Sequence, residues 1–264
     1  MASLHDDGPP VANPDLLSNM YGAYSTWVLR HPSSQVVPDS DIILIDSGVP
    51  SRELNIGFLL STQNASAAIN KGSRFFGERS RPWRLEAALH LKELVDPIAK
   101  SVGLTEYAVR PGFTLVPEEL KRSVPTPQLA IEKVDSAEKG HVFLRSLMEG
   151  FSIEPSPAGV PPEVRFSLPD LTRYLGLVDG VPVATAAVYT HCRVAGIYAV
   201  STVPKARRRG YGRAVTERAV LDGFSSGCTV SFLQSTVMGR PMYEGMGYRW
   251  AFDRSVWTSR EPGR

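Results

Sequence analysis

Cysteine is nearly absent from this 264-residue chain, with only Cys192 and Cys228 present. Two thiols cannot build a disulfide framework, and neither stands at a metal-ligand spacing, so the chain suits a reducing compartment and shows no metal motif. Both are expected to be small buried residues in or near strands. A charge excess of one sign is also missing. Lys and Arg number 29 against 27 for Asp and Glu, a formal net charge of +2, which argues against the domain-wide basic surface of a general nucleic-acid binder. No apolar run approaches the ~20 residues that a bilayer span requires. The opening stretch "MASLHDDGPPVANPD" lacks the basic-then-apolar order of a secretory signal, and Ala2 excludes the myristoylation pattern. The expectation is a soluble, cytoplasmic protein with no nucleic-acid, membrane or metal partner.

What the chain does have is core material. Hydrophobic residues make up 42% and charged residues 21%, enough for one large domain or two of about 130 residues. Residues 41–48 and 53–60 read as a strand pair, 64–76 as a helix, 81–87 as a strand, 89–103 as a helix that Pro97 could kink, and 107–116 as a strand. The charged, Pro-containing stretch 117–128 marks the best boundary and divides the chain into 1–125 and 126–264. Beyond it come a strand at 129–134, a helix at 136–151 and a Pro-rich loop at 154–163. Three strands follow at 173–178, 181–190 and 193–202; Asp179-Gly180 joins the first two as a hairpin. A helix after Pro204, a buried strand at 228–235, a short helix at 239–247 and a last strand at 248–257 complete the order. The two halves share a similar succession of elements.

The stretch "PKARRRGYGRAVTERAV", residues 204–220, poses the functional question. It is either a basic patch for a polyanion or a backbone cradle for one pyrophosphate. Glycines between a strand and a helix let backbone amides approach a ligand closely. The helix N-terminus adds unsatisfied N–H groups and a partial positive charge.

That context resembles the GCN5-related N-acetyltransferase (GNAT) family. Its signature stands here as Arg207-Arg208-Arg209-Gly210-Tyr211-Gly212, after a strand of the family's fourth-strand type. A second family element follows as Thr236-x-x-Gly239-x-x-x-Tyr243-Glu244-x-x-Gly247-Tyr248, with Thr, Gly and Tyr where the family usually has Asn, Ala and Phe. The resemblance covers roughly residues 128–258. It implies an α/β fold of the α+β kind, a mixed and mostly antiparallel sheet flanked by helices. The N-terminal half looks like the degenerate first copy of two-lobed members, carrying neither motif.

The resemblance further implies acetyl-CoA as cosubstrate. Amides from about Arg208 to Arg213, through Gly210, Tyr211 and Gly212, would hold the pyrophosphate, and Arg207, Arg208 and Arg209 would attract its phosphates. The backbone of Tyr198, Ala199, Val200 and Ser201 would pair with the pantetheine arm and polarise the thioester carbonyl. Ser235 and Thr236 would border the same site. Tyr243 would protonate the leaving thiolate, since a phenol of pKa ~10 can donate at neutral pH. No acid lies in "VAGIYAVST", so the general base stays open among His191, Glu154, Glu163, Asp170, Asp253 and a water-mediated path. The acceptor is expected to be a small-molecule amine. A protein or peptide amine, or a non-catalytic acyl-CoA-binding role, stands as the alternative.

Overall fold

The computed structural model describes residues 14–28, 33–152 and 170–259. In the first half, α1 (Pro14–Val28) precedes the strands β1 (Gln35–Val37), β2 (Ile42–Asp46) and β3 (Ile56–Leu59). The helix α2 (Ala65–Gly77), the strand β4 (Arg84–Ala88), the helix α3 (Lys92–Ser101) and the strand β5 (Leu104–Leu115) follow. The second half runs β6 (Leu129–Lys133), α4 (Ala137–Phe151), β7 (Leu171–Val178), β8 (Val181–His191), β9 (Val194–Thr202), α5 (Tyr211–Ser225), β10 (Val230–Gln234), α6 (Arg240–Gly245) and β11 (Arg249–Ser259). From α1 to β5 and from α4 to β11 the order of elements is identical.

The eleven strands of the described residues form one sheet, in the order β1-β2-β3-β4-β11-β5-β10-β9-β8-β7-β6. Every pairing is antiparallel except β3 with β4 and β9 with β10, so the sheet is mixed and mostly antiparallel, as expected. Its centre is an exchange. β11, the last strand of the second half, lies between β4 and β5. β5, the last strand of the first half, lies between β11 and β10. Read inward from either edge, a parallel pair is followed by the other half's final strand.

Helices cover both faces. Apolar residues of α2 and α3 pack on one end of one face (Ile69, Phe76, Val95), and those of α5 and α6 on its other end (Val215, Ala219, Tyr243). α1 and α4 pack on the opposite face through Met20, Ala23 and Phe143. Among the described residues no helix is long and apolar enough to cross a membrane.

Local chemistry places the turns. Asp179 and Gly180 both have positive φ, 50° and 75°, the conformation a two-residue hairpin demands. Ser136 caps α4 by accepting a hydrogen bond from the Lys139 N–H at 3.2 Å. Pro97 sits inside α3. Cys228 is buried but Cys192 is exposed. This corrects the expectation of two buried thiols: Cys192 occupies the turn between β8 and β9, with φ 51°. α1 and β1 are elements that the sequence reading omits. The loop at 154–163 lies outside the described residues.

The stretch between β5 and β6 is held to the second half by several contacts. The Lys121 N–H donates to the Met246 carbonyl at 2.9 Å, and Arg122 and the Ser123 N–H both bond the Glu217 carboxylate. A chain starting at Gln128 loses these contacts along with β5, so that β10 has an open edge and β11 has no neighbour. Such a chain is expected to show no cooperative thermal transition by circular dichroism and to elute as aggregate. A sharp melt of a monodisperse fragment would refute the exchange.

Candidate active site

β9 and β10 pair only through Val194–Val230, Ala195–Ser231 and Gly196–Phe232. β9 continues to Thr202 and β10 to Gln234, so beyond Gly196 the strands part and backbone on both sides is released from the ladder. On its other edge β9 carries a bulge. Tyr198 pairs with Ala187 and Ser201 with Thr185, which leaves Ala199 and Val200 opposite Ala186 alone. Ala199 has φ 51°, a conformation that costs a non-glycine residue about 1–3 kcal/mol and persists only when neighbours impose it. Thr185 imposes it: its hydroxyl donates to the Ala199 carbonyl at 2.8 Å and lies 2.8 Å from the buried Ser201 Oγ. The expected segment Tyr198, Ala199, Val200 and Ser201 is thus the irregular part of the strand.

The glycine motif follows directly. Residues Pro204–Ala206 form one 3-10 turn, Arg208 has φ 63°, and Gly210 (φ 84°) is the N-cap of α5, with no side-chain capping bond. The first-turn amides of α5, Tyr211, Gly212 and Arg213, have no acceptor within the helix by geometry and carry the positive end of its dipole. Gly212 allows the close approach. A Cβ there would stand 2.7 Å from the Thr202 hydroxyl oxygen. Of the three arginines, Arg208 and Arg209 are exposed. Arg207 is tied down, with Nε donating to the Thr202 carbonyl at 3.2 Å and Nη2 to the Gly150 carbonyl at 2.7 Å. It joins the end of α4 to the end of β9. Arg213 reaches the Lys121 carbonyl at 2.8 Å.

On the other side, Ser235 and Thr236 lead from β10 into α6. The Ser235 N–H donates to the Pro111 carbonyl at 3.0 Å and its hydroxyl to the Thr236 carbonyl at 2.8 Å. Thr236 Oγ1 accepts from the Gly239 N–H at 3.1 Å, so threonine caps this turn through its hydroxyl. Tyr243 is 7% exposed, with its ring 5.9 Å from that of Tyr248. A Cβ on Gly239 would come within 3.0 Å of the Tyr243 ring. Burial pushes the Tyr243 phenol up well above 10, so it holds its proton throughout the neutral range.

The base candidates are dispersed. His191 faces the Ser18 hydroxyl at 3.2 Å, Asp253 accepts from the Trp250 indole at 2.9 Å, and Asp170 is exposed. Glu154 and Glu163 lie outside the described residues. Among the described residues no group of three or more His, Cys, Asp or Glu side chains could hold a metal ion.

Several residues that sequence reasoning passes over adjoin this region. Asn19 of α1 donates to the Tyr189 and Val194 carbonyls at 3.0 and 2.9 Å and accepts from the Tyr198 hydroxyl at 2.9 Å. It thereby anchors the helix to β9. Beside it, β4, β5 and β11 carry buried charge. Glu86 is fully buried against Arg84 (2.9 Å), Arg254 (3.4 Å) and Arg110 (3.6 Å). The sequence signal is slight: β5 and β11 carry other polar residues beside Arg110 and Arg254, and only Glu86 stands directly among apolar neighbours, in the run Leu85 to Ala88.

Uncapped helix amides, a parted parallel strand pair and a bulge thus lie next to one another, within the part of the chain that matches a known family. Residues 141–248 match the family model described as "Acetyltransferase (GNAT) family", and this part of the chain is a GNAT domain. Both halves are spanned by solved structures of the same fold. A GCN5-related N-acetyltransferase from Kribbella flavida is similar at 17% identity and TM-score 0.69, over 96% of this chain and 98% of that one. One from Sphaerobacter thermophilus is similar at 11% identity and TM-score 0.61, over 94% and 92%. A GCN5-related N-acetyltransferase-like protein from Streptococcus suis 89/1591 is similar at 14% identity and TM-score 0.58, over 92% and 99%. No curated protein sequence matches the chain.

Burial raises the pKa of the Glu86 carboxyl, but Arg84, Arg110 and Arg254 outweigh it and hold the group below its ordinary 4.5. A value lower in the folded than in the unfolded state stabilises the fold fully above pH 4.5, and that stabilisation is lost as pH falls through the folded value. Glu86→Gln strands the arginines and is expected to cost about 3–5 kcal/mol at neutral pH. Denaturant titrations should show that gap to the wild type closing in acid.

Proposed function

We propose that the protein is an N-acyltransferase that moves the acetyl group of acetyl-CoA to a primary amine of a small molecule. The observation that carries this reading is the bulge at Ala199 and Val200, which stands where β9 parts from β10 and directly before the uncapped N-terminus of α5. One cosubstrate can touch all three. Gly210, Gly212 and the neighbouring first-turn amides would receive the pyrophosphate, because no Cβ fills the space and the dipole favours anions. Arg208 and Arg209 add attraction from solvent, whereas Arg207 holds the loop in shape through Thr202 and Gly150. The released backbone of Tyr198 to Ser201 would take the pantetheine arm as an added strand. Acetyl-CoA supplies an activated acyl group.

The chain's own groups do the rest. Amide N–H groups near Ala199 and Val200 would stabilise negative charge on the carbonyl oxygen as the amine attacks. The buried phenol of Tyr243, protonated at neutral pH, would hand its proton to the departing sulfur. The N-terminal half has no equivalent cradle: residues 60–64, "LSTQN", hold no glycine between β3 and α2. That half is proposed to cover the acceptor side of the sheet, where α1 already touches Tyr198.

Calorimetric titration of acetyl-CoA is expected to give micromolar binding to the wild type and none to a Gly210→Glu, Gly212→Glu variant. Absence of wild-type binding would overturn the reading. Tyr243→Phe should retain that affinity and lose about a hundredfold in turnover, measured as thiol release with an amine acceptor. Unchanged turnover would remove Tyr243 from the chemistry.

A further inference from the structure

The exchanged strand β5 keeps an open edge in the middle of the sheet. β5 runs from Leu104 to Leu115, but β10 pairs with it only from Gly112 to Leu115. The Ser235 N–H adds one further bond, to the Pro111 carbonyl, and the chain then turns away into α6. On its other side β5 pairs with β11, in a register unbroken from Glu106 to Gly112. The N–H and C=O of one strand residue point to the same side, and successive residues alternate. The Pro111 carbonyl faces β10, so Tyr107 and Val109 turn their main-chain groups to that side as well. Glu106, Ala108 and Arg110 turn theirs to β11. Among the described residues nothing bonds the main-chain N–H or C=O of Tyr107 or Val109. Both residues are exposed, at 37% and 43%. Folded proteins ordinarily cover or blunt such an edge, because it templates pairing with another chain.

The edge borders the transfer site. Gly196 of β9 lies opposite Phe232 of β10, and Phe232 opposite Thr114 of β5. From that level β9 runs on to Thr202 while β5 reaches back to Leu104. Where β10 leaves, a slot two strand spacings wide, ~10 Å, separates them. Counted along both strands, the bulge at Ala199 and Val200 is level with Pro111, and Thr202 with Val109. One wall of the slot is the released backbone of β9. The facing wall offers an N–H and a C=O at every second residue. A residue that turns both groups to an open edge bonds one residue of an extended peptide in antiparallel register. A peptide with its second residue opposite Val109 has its first opposite Arg110, and its α-amine then falls at the level of the bulge. Its fourth residue would reach Tyr107.

We propose that the open edge of β5, at Val109 and Tyr107, binds the acceptor as an added antiparallel strand, so that the acceptor is the α-amine of a short peptide. This rests on the acyl-transfer reading for its link to catalysis and narrows the small-molecule amine to a peptide. Binding to the edge can be measured without acetyl-CoA.

The full chain is assayed by thiol release with three acceptors: alanyl-alaninamide, its analogue N-methylated at the second residue, and butylamine. The dipeptide amide is expected to exceed both others in kcat/KM about tenfold or more, the effect of a pair of main-chain hydrogen bonds. Val109→Pro deletes the outward N–H and spares the β11 ladder, since a strand edge tolerates proline where the N–H is not in use. It should bring the dipeptide amide down to its N-methylated analogue and leave acetyl-CoA affinity unchanged. Val109→Ala keeps both main-chain groups and should keep the preference. If Val109→Pro does not fold, the N-methylated analogue makes the same test on the wild type. Equal kcat/KM for the three acceptors, the result if a segment of this chain covers the edge, would overturn the proposal, as would a preference that survives Val109→Pro. Saturation-transfer NMR of alanyl-alaninamide without acetyl-CoA is the second readout. A signal that Val109→Pro abolishes, in a protein that does not bind acetyl-CoA, would uphold the edge and remove the transferase reading. Acetyl-CoA binding with no preference among the acceptors would do the reverse.

Discussion

The exchange of β5 and β11 is the constraint on which the remaining structure depends. Each half ends in a strand that its own sheet does not use at the expected place, and the two final strands pair with each other along nearly their whole length, from Arg249 opposite Thr114 to Ser259 opposite Leu104. β10 gains its outer neighbour from the first half. The opening between β9 and β10 is consequently braced by a strand that the second half does not encode. The same exchange sets Arg110 beside Arg254 and so assembles the buried charge from both halves.

Within that frame, the site is built from backbone freed from its usual partners. A bulge releases Ala199 and Val200, strand separation releases the edge beyond Gly196, and a helix start without a cap releases the first amides of α5. Each defect has a specific neighbour: Thr185 at the bulge, Arg207 on the loop, and the Thr202 hydroxyl close against Gly212, where a Cβ would crowd it. Irregular main chain next to regular elements gives a rigid set of donors whose positions do not depend on side-chain rotamers.

Much of this was legible in the sequence because it is local. Asp179-Gly180, the Arg207-to-Gly212 pattern and the apolar run at 228–235 each signal their conformation within a few residues, and the helical spacing around Pro97 outweighs the proline. The rest depends on contacts far apart in the chain. α1 is written in small and polar residues, with Asn19 and Gly22 mid-helix, because it must nest against β8 and β9: a Cβ on Gly22 would stand 2.7 Å from the Tyr189 hydroxyl. The apolar stripe of α1, Leu16, Leu17, Met20, Tyr21 and Tyr24, is interrupted by these residues and follows a Pro-rich start, which masks the helix when the segment is read alone. Arg84, Glu86 and Arg254 look like ordinary surface charges until the exchange buries them together, and no local pattern announces an exchange. Cys192 departs from its expected burial for a similar reason. It sits in a turn whose exposure is set by how far β8 and β9 run.

The position of β11 has a consequence for synthesis. The inner edge of β4 receives its partner only from residues 254–258, near the end of the chain. While the ribosome is still making the second half, the first half is translated but bears an unpaired strand edge beside a buried carboxylate whose third arginine does not yet exist. The vectorial order of translation therefore holds the first half short of its native state until the last strand emerges, and completion of both halves becomes a single late event.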